Sequence, residues 1–258
     1  MFEKNIKNLR KKLQENGIDV AIITDDDSVY YYSGYCDYLH MEFARPTILI
    51  VPKDDKSLLI TPKVDMALAD DSTAVELLEA WNEGVGNEWR EHIPKMLNGK
   101  NKIGIEINQM PPLVRGYIDS IVEKNQIVDV DPVIGEMRMI KSEEELQIAR
   151  HAGQVAIAMM SAGRNTIADG IPEYEVAIAA SNAGTRKASE ILNQYYSGTR
   201  MSPLIHFLHI MASGEHITTT HHRASTRIMK KGEPAYLCFC GMTNFHRFKL
   251  GFDRLFFI

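Results

Sequence analysis

The 258 residues are 45% hydrophobic and 24% charged, with a formal net charge of −5. That mixture is too apolar for a disordered chain, and its acidic balance gives no general reason to bind nucleic acid. No apolar run approaches the roughly 20 residues that cross a bilayer. The N-terminus, MFEKNIKNLRKKLQ, carries charges where a secretory signal needs an apolar stretch. Three cysteines cannot make a full disulfide set, so a reducing, cytoplasmic setting is the expectation.

In chain order, Phe2, Ile6, Leu9 and Leu13 recur at helical spacing, and Gly17 follows as a C-terminal cap. DVAIIT (19–24) reads as a short buried strand. PTILIVP (46–52) and SLLITP (57–62) read as two more, joined by the polar turn Lys53-Asp54-Asp55-Lys56. A helix around 87–98, a strand at 102–107, a helix near 112–123 and a strand at 127–131 complete a first half. Strands alternating with helices predict α/β layering on a parallel or mixed sheet. Ser142 and Glu145 then form a capping box, which predicts a helix of about twenty residues. Pro172 opens a second, Ala-rich helix over 173–193. From 203 the pattern turns to β, through LIHFLHIM, EPAYLCFCGM and FKLGFDRLFFI. The expected fold is therefore α/β (α+β), with domains at 1–132 and 138–258. FDRLFFI reaches the last residue with no turn or polar tail. A strand of that kind needs neighbours to cover it, so the chain reads as incomplete there.

Arg138-Met139-Ile140-Lys141-Ser142-Glu143-Glu144-Glu145-Leu146 resembles the stretch by which the creatinase/aminopeptidase P/prolidase family enters its catalytic domain. Tyr31-Tyr32-Ser33-Gly34 resembles the family's turn after the first strand. Lys231-Gly232-Glu233 resembles its K-G-D turn before the first central catalytic strand. The order of elements is similar throughout. The resemblance implies a small α/β N-terminal domain, then a pita-bread catalytic domain of two pseudo-symmetric halves, of which only the first is present. It also implies a homodimer acting on a small molecule; charge and hydropathy add the expectation of no nucleic-acid or membrane partner.

Two chemistries exist in that family. Its metallopeptidases hold two divalent cations such as Mn or Co, which generate a hydroxide and polarise the scissile carbonyl. Their first Asp stands six residues after the turn glycine, and here that position is Cys238. Their second Asp stands three residues before a late Arg, and counting back from Arg254 gives Gly251. Neither residue replaces a bridging carboxylate for a hard cation. No metal and no cofactor are the expectation.

The metal-free, creatinase-like branch instead shuttles protons through a histidine before the K-G-D turn. His221, eleven positions ahead of Gly232, is the aligned residue. A histidine can both take and give a proton near neutrality. Asp253, directly before Arg254, matches the acid that holds the substrate's cationic group; Lys249 stands where that branch has a Tyr. Phe43-Ala44-Arg45 resembles the stretch whose arginine, drawn from the neighbouring subunit, binds the substrate carboxylate with its planar fork. The expected activity is a metal-independent C–N hydrolase acting on a small amidino, guanidino or cyclic amidine acid. The alternatives are an Xaa-Pro aminopeptidase or dipeptidase, and a non-catalytic fragment of such a protein.

Plainer roles stand beside these. His206 and His209 suit structural positions in an apolar strand, and His222 points away from His221 if the segment is extended. Cys238 and Cys240 fit core thiols better than a C-x-C zinc half-site. Asp253 can pair with Arg254 or Arg247, and Arg45 can be a surface charge before Pro46.

Overall fold

Helix α1 (Phe2–Glu15) buries Ile6, Leu9 and Leu13 on one face. Gly17 follows at φ +66°, a left-handed conformation that most side chains resist and that lets the chain turn off the helix. The computed structural model describes residues 1–36, 45–82, 84, 88–198, 201–205, 209–219, 221–239 and 245–258. They form two compact units, Met1–Lys141 and Ser142–Ile258.

In the first unit, β1 (Val20–Ile23), β2 (Ile48–Pro52) and β3 (Leu58–Pro62) are buried at every residue. With β4 (Leu77–Trp81), β5 (Ile103–Ile105) and β6 (Ile127–Asp129) they make a six-stranded sheet in the order β4-β3-β2-β1-β5-β6. The sheet is mixed: β1–β2 and β2–β3 are antiparallel, the other three pairs parallel. Alternate residues feed two cores. Ala21, Ile23, Leu49 and Val51 meet α1, whereas Val20, Ile22, Ile48 and Ile50 meet Trp89, Val114 and Ile118. Burial on both faces explains why these strands read as continuous apolar runs.

Several elements depart from the sequence expectation. Tyr31–Gly34 is the last turn of a helix, α2 (Asp26–Ser33), capped by Asp25, whose carboxylate accepts from the Ser28 N–H at 3.0 Å. Residues 87–98 hold a 3₁₀ turn (Glu88–Glu91) and a short helix α4 (Ile93–Leu97) in place of one helix, Pro94 fixing the start of the latter. Helices α3 (Met66–Ser72) and α5 (Pro112–Ile121) complete the layers with α6 (Asp131–Met139). α6 sends Ile134 into the α1 core, which is why the first unit extends to Lys141.

The second unit opens on α7 (Glu143–Thr166), where Ser142 and Glu145 make the reciprocal capping box. α8 (Glu173–Tyr195) packs on it closely enough that a Cβ on Gly184 would meet Met159 Cγ at 2.6 Å. β7 (His209–Ser213), β8 (Pro234–Phe239) and β9 (Phe252–Phe257) form an antiparallel sheet in that order. Leu237 of β8 presses on Gly163 of α7. β9 is the outer strand, with Leu255 and Phe257 exposed.

Candidate functional site

The register of β8 and β9 decides which side chains share a face. Tyr236 stands opposite Leu255 and Cys238 opposite Asp253, so Tyr236, Cys238 and Asp253 project from one side, while Leu237 points to the helices. The Cys238 thiol and the Asp253 carboxylate both act on the Tyr236 hydroxyl. Burial, reinforced by those two partners, pushes its pKa up and keeps the phenol protonated. Cys238 is buried and Asp253 is exposed. Arg254 does not neutralise Asp253 through its carboxylate. Its guanidinium donates to the main-chain carbonyl of Asp253 at 2.6 Å and lies over the Phe252 ring.

His221 is exposed and occupies a turn, at φ +60°, a conformation histidine tolerates better than most residues. The His222 N–H donates to Thr219 in that turn, at 3.1 Å. The segment is therefore not the extended strand that the sequence suggested. Among the described residues, no hydrogen bond or ion pair joins His221 to Asp253. Lys249 is exposed just ahead of β9, and Arg45 is half-buried in the first unit. Phe43, His206 and Cys240 lie outside the described residues, and of His209 only its place in β7 is described.

His222 turns the other way, toward a residue that the sequence reading passed over. Glu173, the first residue of α8, is fully buried. Its carboxylate accepts from the N–H and hydroxyl of Ser213, both at 2.8 Å, and from the N–H (3.2 Å) and hydroxyl (2.6 Å) of Ser225. His222 Nε2 lies 3.3 Å from one carboxylate oxygen and His216 Nδ1 3.5 Å from the other. Burial alone would raise the pKa of Glu173. The hydrogen bonds to the charged form outweigh it, and the net direction is down. The main chain joins in, with the Glu173 and Tyr174 N–H groups donating to Arg227 and Ser225, each at 3.0 Å. Nearby, Arg227 pairs with Glu233 at 2.8 Å. One carboxylate thus ties β7 and the 222–227 segment to the start of α8. The partners lie 40 to 52 residues away, and only the proline before Glu173 signals anything locally.

The residues present do not suit a pair of hard cations on the sheet face. A buried thiol stands at 238, glycine at 251, and Asp253 is the only carboxylate in β7, β8 or β9. Hard divalent ions take several oxygen ligands.

The comparisons agree with this architecture. The Creatinase/Prolidase N-terminal domain family matches residues 5–140. The chain belongs to the creatinase/prolidase family. Creatinase of Bacillus sp. (strain B-0618) is 26% identical over 242 residues, covering 90% of this chain and 54% of the relative. The Xaa-Pro dipeptidase of Pyrococcus horikoshii is 29% identical over 182 residues, 69% of this chain and 46% of the relative. The solved prolidase from Pyrococcus horikoshii OT3 superposes with a TM-score of 0.77 at 21% identity, over 99% of this chain and 65% of that one. The chain therefore spans about half to two thirds of the length of these relatives. Its fold is the family's N-terminal α/β domain followed by part of the pita-bread catalytic domain. Among the described residues, no helix is long and apolar enough to cross a membrane.

Proposed function

We propose that this chain belongs to a creatinase-like hydrolase that cleaves a C–N bond in a small amidino, guanidino or cyclic amidine acid, without a dinuclear metal centre. The observation that carries this reading is that Cys238, in register with Asp253, and Gly251 stand where the family's metallopeptidases need carboxylates. A lone exposed carboxylate beside a neutral phenol suits a cationic amidinium, which offers charge and N–H donors together.

In this reading His221 takes a proton from water as its oxygen adds to the amidine carbon. The tetrahedral centre collapses as the C–N bond breaks, and His221 returns the proton to the departing nitrogen. Oxygen ends on carbon and hydrogen on nitrogen, so no other reactant is needed. Asp253 holds the cationic end throughout. Arg45 pairs with the substrate carboxylate from a second copy of the chain in a homodimer, with Phe43 and Lys249 bordering the substrate.

The test uses the protein at the full length its gene encodes, assayed for amine release from guanidino and cyclic amidine acids. Activity should survive a chelator. His221→Asn should lower turnover by about 10²–10⁴, the usual worth of a positioned acid/base, and Asp253→Asn should chiefly raise KM for cationic substrates. An absolute requirement for two Mn or Co ions, with cleavage of Xaa-Pro dipeptides, would overturn it.

A further inference from the structure

We infer that Glu173, His216 and His222 form a binding site for a single d-block divalent cation of the Zn²⁺ class, distinct from the sheet face that carries Asp253. The ligand atoms of all three lie within 4.8 Å of one another. Zinc bonds of about 2.0–2.2 Å in tetrahedral array place neighbouring donors roughly 3.4 Å apart. His222 Nε2 lies 3.3 Å from one Glu173 oxygen and His216 Nδ1 3.5 Å from the other, so each imidazole stands from its own carboxylate oxygen at the spacing a cation would impose.

Three further observations point to a cation. His216 Nδ1 is shielded from solvent and has no hydrogen-bond partner, its 3.5 Å approach to Glu173 lacking the geometry of a bond. A buried nitrogen lone pair left unused is costly, and a metal would use it. The two imidazoles meet at a 42° tilt with centroids 4.1 Å apart, a close approach that a shared ion rationalises. The surroundings also carry three carboxylates, Glu173, Glu215 and Glu233, acting on Arg227, with Lys230 facing Glu233 as well.

The carboxylate is built as a ligand. Its four bonds from Ser213 and Ser225 fix its orientation, as hydrogen bonds around a metal-ligating acid do. The His222 contact is the longest of its hydrogen bonds and is the one a cation would replace. Two imidazoles with one carboxylate select Zn²⁺, Co²⁺ or Ni²⁺ over Mg²⁺ or Ca²⁺. Both histidine side chains are partly exposed, at 31% and 19%, so an ion has an entry path and a water can complete the coordination.

Equilibrium dialysis of the 258-residue chain against ZnCl₂ tests this, with Co²⁺ absorption as a second readout and circular dichroism to confirm each variant's fold. One equivalent should bind. His216→Ala and His222→Ala should each weaken binding at least about 100-fold, and Ser225→Ala, which leaves all three ligands in place, about tenfold. His221→Ala and Cys238→Ser should bind as the parent does. Glu173→Gln would disturb five hydrogen bonds at once, so the serine variant serves in its place. No saturable binding, binding that survives loss of both His216 and His222, or binding lost with His221 or Cys238 would each overturn the inference. None of these outcomes bears on amine release, so the two readings fail separately.

Discussion

His246 shows how a single buried side chain can set an acid limit. It is 7% exposed, adopts φ +50°, and packs on Tyr196 at a 44° tilt with ring centroids 4.3 Å apart. Tyr196 hydrogen-bonds His151 at 2.8 Å, and His151 is itself buried. Burial, helped by the nearby His151, pushes the pKa of His246 down to about 4, and burial lowers His151 too. In the unfolded chain both would take a proton near pH 6.5. The unfolded state therefore binds more protons between about pH 4 and 6.5. The stability from neutral burial is complete above that window and is lost as pH falls through it. For His246 alone the loss is about 3 kcal/mol. Chemical denaturation at pH 7 and pH 4.5, followed on α8 by hydrogen exchange, should show it, and His246→Gln should flatten the slope. An unchanged slope in that variant would place the acid sensitivity elsewhere.

At the scale of elements, the α7–α8 pair depends on a glycine, Gly184. A Cβ on Gly184 would meet Met159 Cγ at 2.6 Å, Met159 Sδ at 3.0 Å and Ile205 Cγ1 at 3.2 Å. Alanine in a helix interior normally gains about 0.5–1 kcal/mol over glycine. Overpacking a closed core costs about 1–3 kcal/mol, so Gly184→Ala should be net destabilising by about 1 kcal/mol or more in denaturant melts; a stabilised variant would show that Met159 can move aside. Helices such as α7 were legible because their signals are local: Ser142, Glu145 and the apolar stripe lie within one stretch. α2 is less legible although its cap, Asp25, is local too, because Tyr31-Tyr32-Ser33-Gly34 resembles a turn and the helix it closes is only eight residues long. β4 was missed because its alternating burial carries a glutamate on the open side, LLEAW. The candidate site was legible in the same measure. Asp253 and Cys238 follow from counting along two strands, whereas the meeting of Glu173 with Ser213, His216, His222 and Ser225 is a product of tertiary folding.

The two units of the molecule differ in how completely they enclose their sheets. In Met1–Lys141 strands β1, β2, β3 and β5 are covered on both faces, one core centred on α1 and the other on Trp89, Val114 and Ile118. The strand edges are short, and Asp19 holds the β1 entry to Lys53 at 2.7 Å, which draws its pKa down to about 2. In Ser142–Ile258, among the described residues, the outer strand β9 pairs on one edge only, and Leu255 and Phe257 are 56% and 76% exposed. Exposed apolar strands of that kind favour association over a stable isolated fold. A fragment 1–141 should therefore fold alone, with one cooperative transition and an unfolding enthalpy near 100 kcal/mol at about 60 °C, scaled from typical per-residue values. A fragment 142–258 should instead melt broadly or associate. Calorimetry of the two fragments decides the matter. A cooperative, monomeric 142–258 would mean that α7, α8 and three strands suffice for a closed core, and a non-cooperative 1–141 would mean that the two-faced sheet needs the second unit to hold it.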